Sequence, residues 1–441
     1  MATTNDSAIV LGGGLSGAAT AYALASAGWQ RVTVIEAGHS IGGLAGSFEQ
    51  DGRFYPLGYH HILHRDRVLL FFLEKIGALA DVRWRRIRML FEQGGRLHDL
   101  GSPLGFLRFP MAAADKARFV RLMLRSFRKT DWSDWEGRSA AELIDSWGGP
   151  GVRTSLFESL SRLKFDLPCE AVSAAWLGAR LYFREGSAPL GYIPGTNWTK
   201  VLCDGVASLL KERGVAIRLR SPVRSLHRSD GAIREVELQS GERVGGDLFV
   251  STIPTEVYST LAPDDETAEI RNIRYTAIVS AICATRQKVS PDFYWLNLAS
   301  LTHSAGGLFQ LNSLNPTAGG GDTCLNFITH LPSRSSSFFT KSDDELLSGY
   351  AADFRRLFGF ELAPYWTQIN RIPMYSPVFV RRYANCPVKS QTWRNLYFAG
   401  NYRTFPSIAS TGTALGSGLA TGRRILEDHG ITPSDEVGSL T

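Results

Sequence analysis

A chain of 441 residues exceeds what one ordinary hydrophobic core can organise, so it points to two domains. Its composition, 44% hydrophobic and 20% charged with a net charge of +6, excludes intrinsic disorder and leaves the chain only mildly basic. The five cysteines, Cys169, Cys203, Cys283, Cys324 and Cys386, are odd in number, scattered and without a CxxC pair, which argues against a disulfide framework or a zinc cage and fits a reducing interior.

The start, MATTNDSAIVLGG, has no basic region ahead of its apolar run and does not read as a secretory signal, so the expectation is a cytoplasmic protein. Residues 8–28, AIVLGGGLSGAATAYALASAG, carry no charge over about the length of a membrane span. The glycines argue against a span. The stretch reads instead as a buried strand AIVL, a turn, an alanine-rich helix ending at Gly28 and, directly after, a second strand RVTVIE.

Gly12, Gly14 and Gly17 stand in GxGxxG spacing, with Gly13, Leu15 and Ser16 completing the turn. The first glycine makes the tight turn, the second admits a pyrophosphate close to the backbone, and the third lets helix and strand pack, while the helix N-terminus attracts the anion. Glu36 ends the second strand 19 residues beyond Gly17, with Ala37 beside it, where a ribose hydroxyl needs a carboxylate acceptor. Strand, turn, helix, strand and acid in register predict a dinucleotide site.

Gly42 and Gly43 follow in EAGHSIGGLAGSF, with Ser47 beyond. Here the sequence resembles the flavoprotein superfamily of amine oxidases, protoporphyrinogen oxidases, carotenoid desaturases and UDP-galactopyranose mutases. The resemblance places this second glycine pair under the FAD pyrophosphate and ribityl chain, with Leu44 where many members have arginine. It continues in GVAIRLRSPVRSLHR, where Val223 matches the valine whose backbone holds the adenine, and in GDLFVSTIP, the strand that returns to the substrate domain. It closes in NLYFAGNYRTFPSIASTGTALGSGLATGRRIL, where Gly400, Asn401, Ser410 and Thr411 fall on the final flavin motif. Asn401 stands at a usually acidic position, and an amide still accepts from a ribityl hydroxyl. The helix expected to start near Ser410 to Gly412 would aim its positive end at the reduced flavin.

The implied fold class is α/β: a Rossmann-like FAD-binding domain of the glutathione-reductase type, interleaved with an α+β substrate domain. Residues 1–80, 200–255 and 375–430 would build the first, residues 81–199 and 256–374 the second, and residues 431–441 a loose tail.

Residues 81–135 hold 12 Lys or Arg against six Asp or Glu, so the basic character is local. On a helical wheel Phe119, Leu122, Met123 and Phe127 fall opposite Arg118, Arg121, Arg125 and Arg128, so residues 115–129 form a basic amphipathic helix. Such a helix either packs its apolar side on the core or makes a peripheral contact at the inner face of a membrane. Nothing resembles a nucleic-acid-reading motif. Lys164 reads as a surface lysine, with a flavin-facing position as the alternative. Trp132, Trp135 and Tyr397 read as packing residues, and Arg403 is a candidate for a substrate anion or the FAD phosphate.

One dinucleotide fingerprint claimed by FAD implies an oxidoreductase in which flavin takes a hydride from an apolar, lipid-linked or cyclic small molecule. The alternatives are a mutase isomerising a nucleotide sugar, which LGYHHILHRD resembles locally, and a non-catalytic flavin-binding scaffold. In GYHHILHR, His60 and His64 have the spacing of metal ligands on a helix, but the one local carboxylate is Asp66 and no metal site is expected. The resemblance places Gly58, Tyr59 and His60 beside the flavin and gives His60 or His61 a flavin- or substrate-facing catalytic role; a packed or solvated cluster is the alternative.

Overall fold

The computed structural model describes residues 4–183, 189–263, 268–300, 302–333 and 336–440. One sheet has five parallel strands in the spatial order Leu396–Phe398, Leu248–Ser251, Thr4–Leu11, Trp29–Ile35 and Ala216–Arg218. Val10 sits between Val250 and Val34 in register. Ala8 and Val10 face one apolar cluster and Ile9 and Leu11 another, so the strand is covered on both sides. Strands buried on both faces carry continuous apolar runs, which is why AIVL and LFV show no alternation.

The helix Leu15–Ser26 packs against the closing helix Thr411–Asp428, joining the two ends of the chain. Small residues permit the approach: a Cβ on Gly418 would lie 2.1 Å from the Ser16 carbonyl oxygen, and one on Gly422 would lie 2.5 Å from the Ala23 side chain. Ser16 Oγ donates to the Ala414 carbonyl at 2.8 Å and Thr20 Oγ1 to that of Gly418 at 3.1 Å. These bonds satisfy buried hydroxyls that apolar packing alone would strand.

The second large sheet has seven strands, ordered Trp366–Pro377, Tyr275–Thr285, Cys324–His330, Gly307–Gln310, Trp295–Leu298, Met89–Gln93 and Arg96–Asp99. All its pairings are antiparallel except that of Trp295–Leu298 with Met89–Gln93. Helix Asp343–Phe358 buries Leu346, Tyr350 and Phe354 against it. Helices between residues 113 and 183 form a separate cluster around Trp132, Leu143 and Trp176, which reaches the sheet through Phe91.

All five parallel strands fall within residues 1–80, 200–255 and 375–430, but four of the expected boundaries cut through elements. They fall in the turn Leu79–Asp81, the helix Trp198–Glu212, the helix Thr255–Leu261 and the strand Trp366–Pro377. The last matters for the site, because that strand belongs to the seven-stranded sheet and still reaches the flavin-motif segments through Tyr375. The expectation of a loose tail is corrected. Ile431 and Val437 are buried in the core, and Glu436 meets Lys75 and the Tyr22 hydroxyl. GITPSDEVGSLT looks polar, but Ile431 and Val437 anchor it, with Leu440 packed alongside.

Candidate flavin and substrate site

The glycine spacing translates directly into backbone contacts. Gly12 has φ +101° and its amide donates to the Ile35 carbonyl at 2.8 Å; a Cβ on Gly17 would stand 2.1 Å from the Gly12 carbonyl oxygen. Only glycine fits either position. Gly14 is different, because a Cβ there would meet nothing within 4 Å. It begins the helix Leu15–Ser26 without any side-chain cap, which leaves first-turn amides for an external acceptor.

The second glycine pair docks on the first. The Gly42 amide donates to the Gly13 carbonyl at 2.8 Å, and a Cβ on Gly43 would lie 3.2 Å from the Gly14 Cα. Both have positive φ, +125° and +55°. Glu36 accepts from the Gly13 and Gly38 amides, each at 2.6 Å, which fixes its carboxylate at the mouth of the turn.

These turns open on a cavity of about 920 Å³. Gly12, Gly14, Leu15, Ser16, Glu36 and Ala37 line it at the first turn, and Gly42, Gly43, Leu44 and Val223 line it too. Tyr59, His60, His61, Gly400, Asn401, Ser410 and Thr411 complete the predicted set in its wall. Gly13, Gly17 and Gly58 lie behind that wall: Gly13 against Glu36, Gly17 against Gly12, and Gly58 buried with the Tyr375 ring 3.5 Å from where its Cβ would be. Asn401 Nδ2 donates to the Tyr375 carbonyl at 3.4 Å.

GYHHILHR is not helical, so its i, i+4 histidines do not share a face. His60 Nε2 lies 3.0 Å from the Leu44 carbonyl and Nδ1 3.5 Å from Thr411 Oγ1. With Nε2–H donating to the carbonyl, Nδ1 accepts from the hydroxyl. One imidazole thereby ties the second glycine turn to the closing helix, and burial holds its pKa below the ordinary histidine value. His61 Nδ1 meets the Tyr294 hydroxyl at 3.0 Å and its ring stacks on Trp295, while His64 stacks on Trp84 at 3.7 Å between centroids. No group of three His, Cys, Asp or Glu among the described residues is placed to hold a metal ion.

Other sequence candidates move. Arg403 does not line the cavity; it donates to the Cys386 and Phe398 carbonyls and to Thr421, stapling the closing motif. Trp132, Trp135 and Tyr397 are buried packing residues. Lys164 is not a surface lysine: it lines the cavity, with Nζ 6.0 Å from the Tyr375 ring centroid. Arg180 lines the same cavity, as do Trp295 and Tyr375. Sequence reasoning missed these three, which come from different elements and share no motif.

An uncapped helix N-terminus, a glycine turn open to a large cavity and a carboxylate anchored at a strand end are the donors and acceptor that a dinucleotide's pyrophosphate and ribose require. Residues 15–426 match the family described as flavin containing amine oxidoreductase. The chain is 23% identical to a 15-cis-phytoene desaturase of an Oncidium hybrid cultivar, over 98% of this chain and 79% of that protein. It is also 23% identical to a hydroxysqualene dehydroxylase of Zymomonas mobilis, over 93% of this chain and 96% of the other. A solved structure from Exiguobacterium sp. 255-15, named for protoporphyrinogen oxidase, superposes with a TM-score of 0.76 at 17% identity, covering 97% of this chain and 100% of that one. The chain therefore belongs to the flavin containing amine oxidoreductase family and is an FAD-dependent oxidoreductase.

Proposed function

We propose that this chain is an oxidoreductase of the amine oxidase and protoporphyrinogen oxidase type that removes a hydride from a carbon of an apolar, lipid-like or cyclic small molecule. FAD would be held by the turn Gly12–Gly17, by Glu36 and Ala37, and by Gly42–Leu44 with Val223. The segment Gly58–His60 and Gly400, Asn401, Ser410 and Thr411 would complete its seat. The observation that carries the substrate reading is the wall away from the glycine turns, where Leu63, Ile87, Met89, Leu181, Ile372 and Met374 face the cavity. Glu36 is the sole carboxylate among the described residues lining it.

Bound FAD supplies a two-electron hydride acceptor. The chain's part is to hold the reacting carbon, exclude water and keep the surrounding rings fixed. The stacked pairs Tyr59–Phe309 and His61–Trp295 provide such a rigid apolar face. The names of the phytoene and hydroxysqualene relatives agree with an apolar substrate. The test is anaerobic bleaching of the bound flavin. Isoprenoid and polycyclic hydrocarbons should bleach it; bleaching by primary amines alone would overturn the reading. Isomerisation of a UDP-sugar by the reduced protein alone would replace it with the mutase reading.

Delivery of such a substrate fits the basic helix Ala113–Arg128. It divides its apolar residues three ways: Leu122 enters the core, Met123 lines the cavity, and Val120 and Leu124 are 46% and 50% exposed. The adjoining helix Pro103–Arg108 packs Phe106 against Phe119 and exposes Leu104 and Leu107, the latter by 66%. Exposed leucines beside Arg121, Arg125 and Arg128 match an anionic lipid surface, and residues 115–129 would be its contact. No helix among the described residues is long and apolar enough to cross a membrane.

A further inference from the structure

We propose that Lys164 and Arg180 form a subsite for an anionic group, a carboxylate or a phosphate, carried by the substrate next to its apolar part. The proposal rests on the reading of the cavity as the substrate chamber and names the chemistry that chamber selects.

Lys164 belongs to the helix Glu158–Phe165 and Arg180 to the helix Ala174–Phe183. Both line the large cavity, and both also line a second one of about 210 Å³. They therefore stand where the two meet. The smaller cavity is apolar, with Phe91, Leu156, Leu160, Trp176, Leu177 and Phe309 in its wall and no carboxylate among its described lining residues.

Neither cation has an acid partner or a hydrogen-bond acceptor among the described residues. What surrounds them is aromatic: Lys164 Nζ is 6.0 Å from the Phe165 and Tyr375 ring centroids, and Arg180 Cζ is 5.8 Å from that of Trp176. Arg65, also in the cavity wall, differs in donating to the Tyr182 carbonyl at 2.8 Å.

Two neighbouring cations in the cavity wall with no counter-charge among the described residues are costly, and burial together with the Arg180 charge pushes Lys164 down to about 7. An anion between them would form charge-assisted hydrogen bonds in a dry setting, while an ammonium group would be repelled. The geometry thus selects an amphiphilic anion, its charge at the junction and its apolar part in the side cavity or toward the flavin motifs. A substrate amine, which the family description alone would suggest, does not fit.

The test titrates the FAD-loaded protein by calorimetry with four probes sharing one alkyl chain: dodecanoate, dodecyl phosphate, dodecanol and dodecylamine. Both anions should bind about tenfold or more tightly than dodecanol, with dodecylamine weakest. The stronger anion identifies carboxylate or phosphate as the native group. Lys164→Gln and Arg180→Gln, tested separately so that either carries the test if the other fails to fold, should each erase that preference and leave dodecanol binding unchanged. Lys164→Arg should keep it. The wild-type preference should decline as pH rises through about 7, where Lys164 loses its charge.

Equal binding of dodecanol and the anions overturns the proposal, as does a preference that survives both glutamine variants. Folded glutamine variants that lose FAD would assign the cations to the cofactor, which also overturns it. A protein that prefers the anions but whose flavin is bleached by neither apolar compounds nor amphiphilic anions sinks the redox reading and leaves the subsite standing.

Discussion

The buried carboxylate of Asp66 accepts from the amide of Leu69 at 3.3 Å and from the amide of Gly412, so one side chain caps the helix Arg67–Lys75 and reaches the first turn of the closing helix. A Cβ on Gly412 would lie 1.6 Å from the carboxylate oxygen, so glycine is required there. Ser410 caps the same turn, accepting from the Thr413 amide at 3.2 Å. The closing helix thus already spends two first-turn donors on protein oxygens, whereas the helix after Gly14 has no side-chain cap. An ionised Asp66 offsets the positive helix end that sequence reasoning aimed at the flavin.

Burial raises Asp66 to about 6, against an ordinary value of 3.8. The folded protein then holds this proton more tightly than the unfolded chain, so its contribution is fully present below about pH 4 and is lost as pH rises through about 6. Above that the buried charge costs up to about 3 kcal/mol. Asp66→Asn keeps an acceptor for both amides and removes the ionisation. It should match the wild type in urea unfolding near pH 4 and exceed it near pH 7.5; a variant less stable at both would show that the charge itself holds the two helices.

His60 works in the opposite direction. Its pKa is lowered, so its stabilising tie between Leu44 and Thr411 is present above the ordinary histidine value and is lost as acid protonates the ring. His60→Ala should weaken FAD retention about tenfold, the size expected when one buried hydrogen-bonding side chain is lost. Wild-type flavin release, followed by fluorescence, should accelerate on acidification while the variant's rate stays flat. Parallel curves would remove His60 from the cofactor's seat.

Glu36 is fixed by the Gly13 and Gly38 amides with its carboxylate in the cavity wall. If it accepts from the adenosine ribose, Glu36→Ala should lower FAD occupancy of the purified protein, by about tenfold in affinity for the lost charged acceptor. Glu36→Gln should lose less, because its amide oxygen still accepts. Full occupancy in the alanine variant would reassign Glu36 to turn formation alone.

What could be read in the sequence was local or strictly spaced. The strand AIVL, the turn Gly12–Gly17, the acid at Glu36 and the helix beginning after Ser410 all obey short-range backbone rules, and each stands where the spacing put it. The cavity's far wall was illegible because its residues meet only through the fold: Arg180, Trp295 and Tyr375 come from three elements with no shared period, and Lys164, from a fourth, showed only as the alternative to a surface position. The i, i+4 spacing in GYHHILHR was uninformative for a related reason. A helical wheel assumes a helix, and this segment is instead an extended passage in which Ile62 bridges to Gly191 and each histidine ring finds a different partner.

The basic helix offers the last test. Lys116 donates to the Leu107 carbonyl at 2.6 Å, so the helix and the exposed leucines before it form one surface. Arg121 and Arg125 each contact Trp147, the first by a hydrogen bond to its carbonyl and the second over its ring. Reversing Arg121, Arg125 and Arg128 to Glu should abolish sedimentation with phosphatidylserine vesicles, where each basic residue near the surface contributes about 1 kcal/mol. Leu107→Ser with Leu124→Ser should weaken binding to the same vesicles without steepening its salt dependence, because it removes buried apolar area and no charge. Should the arginine reversal leave sedimentation intact, the exposed leucines and their arginines are a solvated face and the substrate arrives by another route.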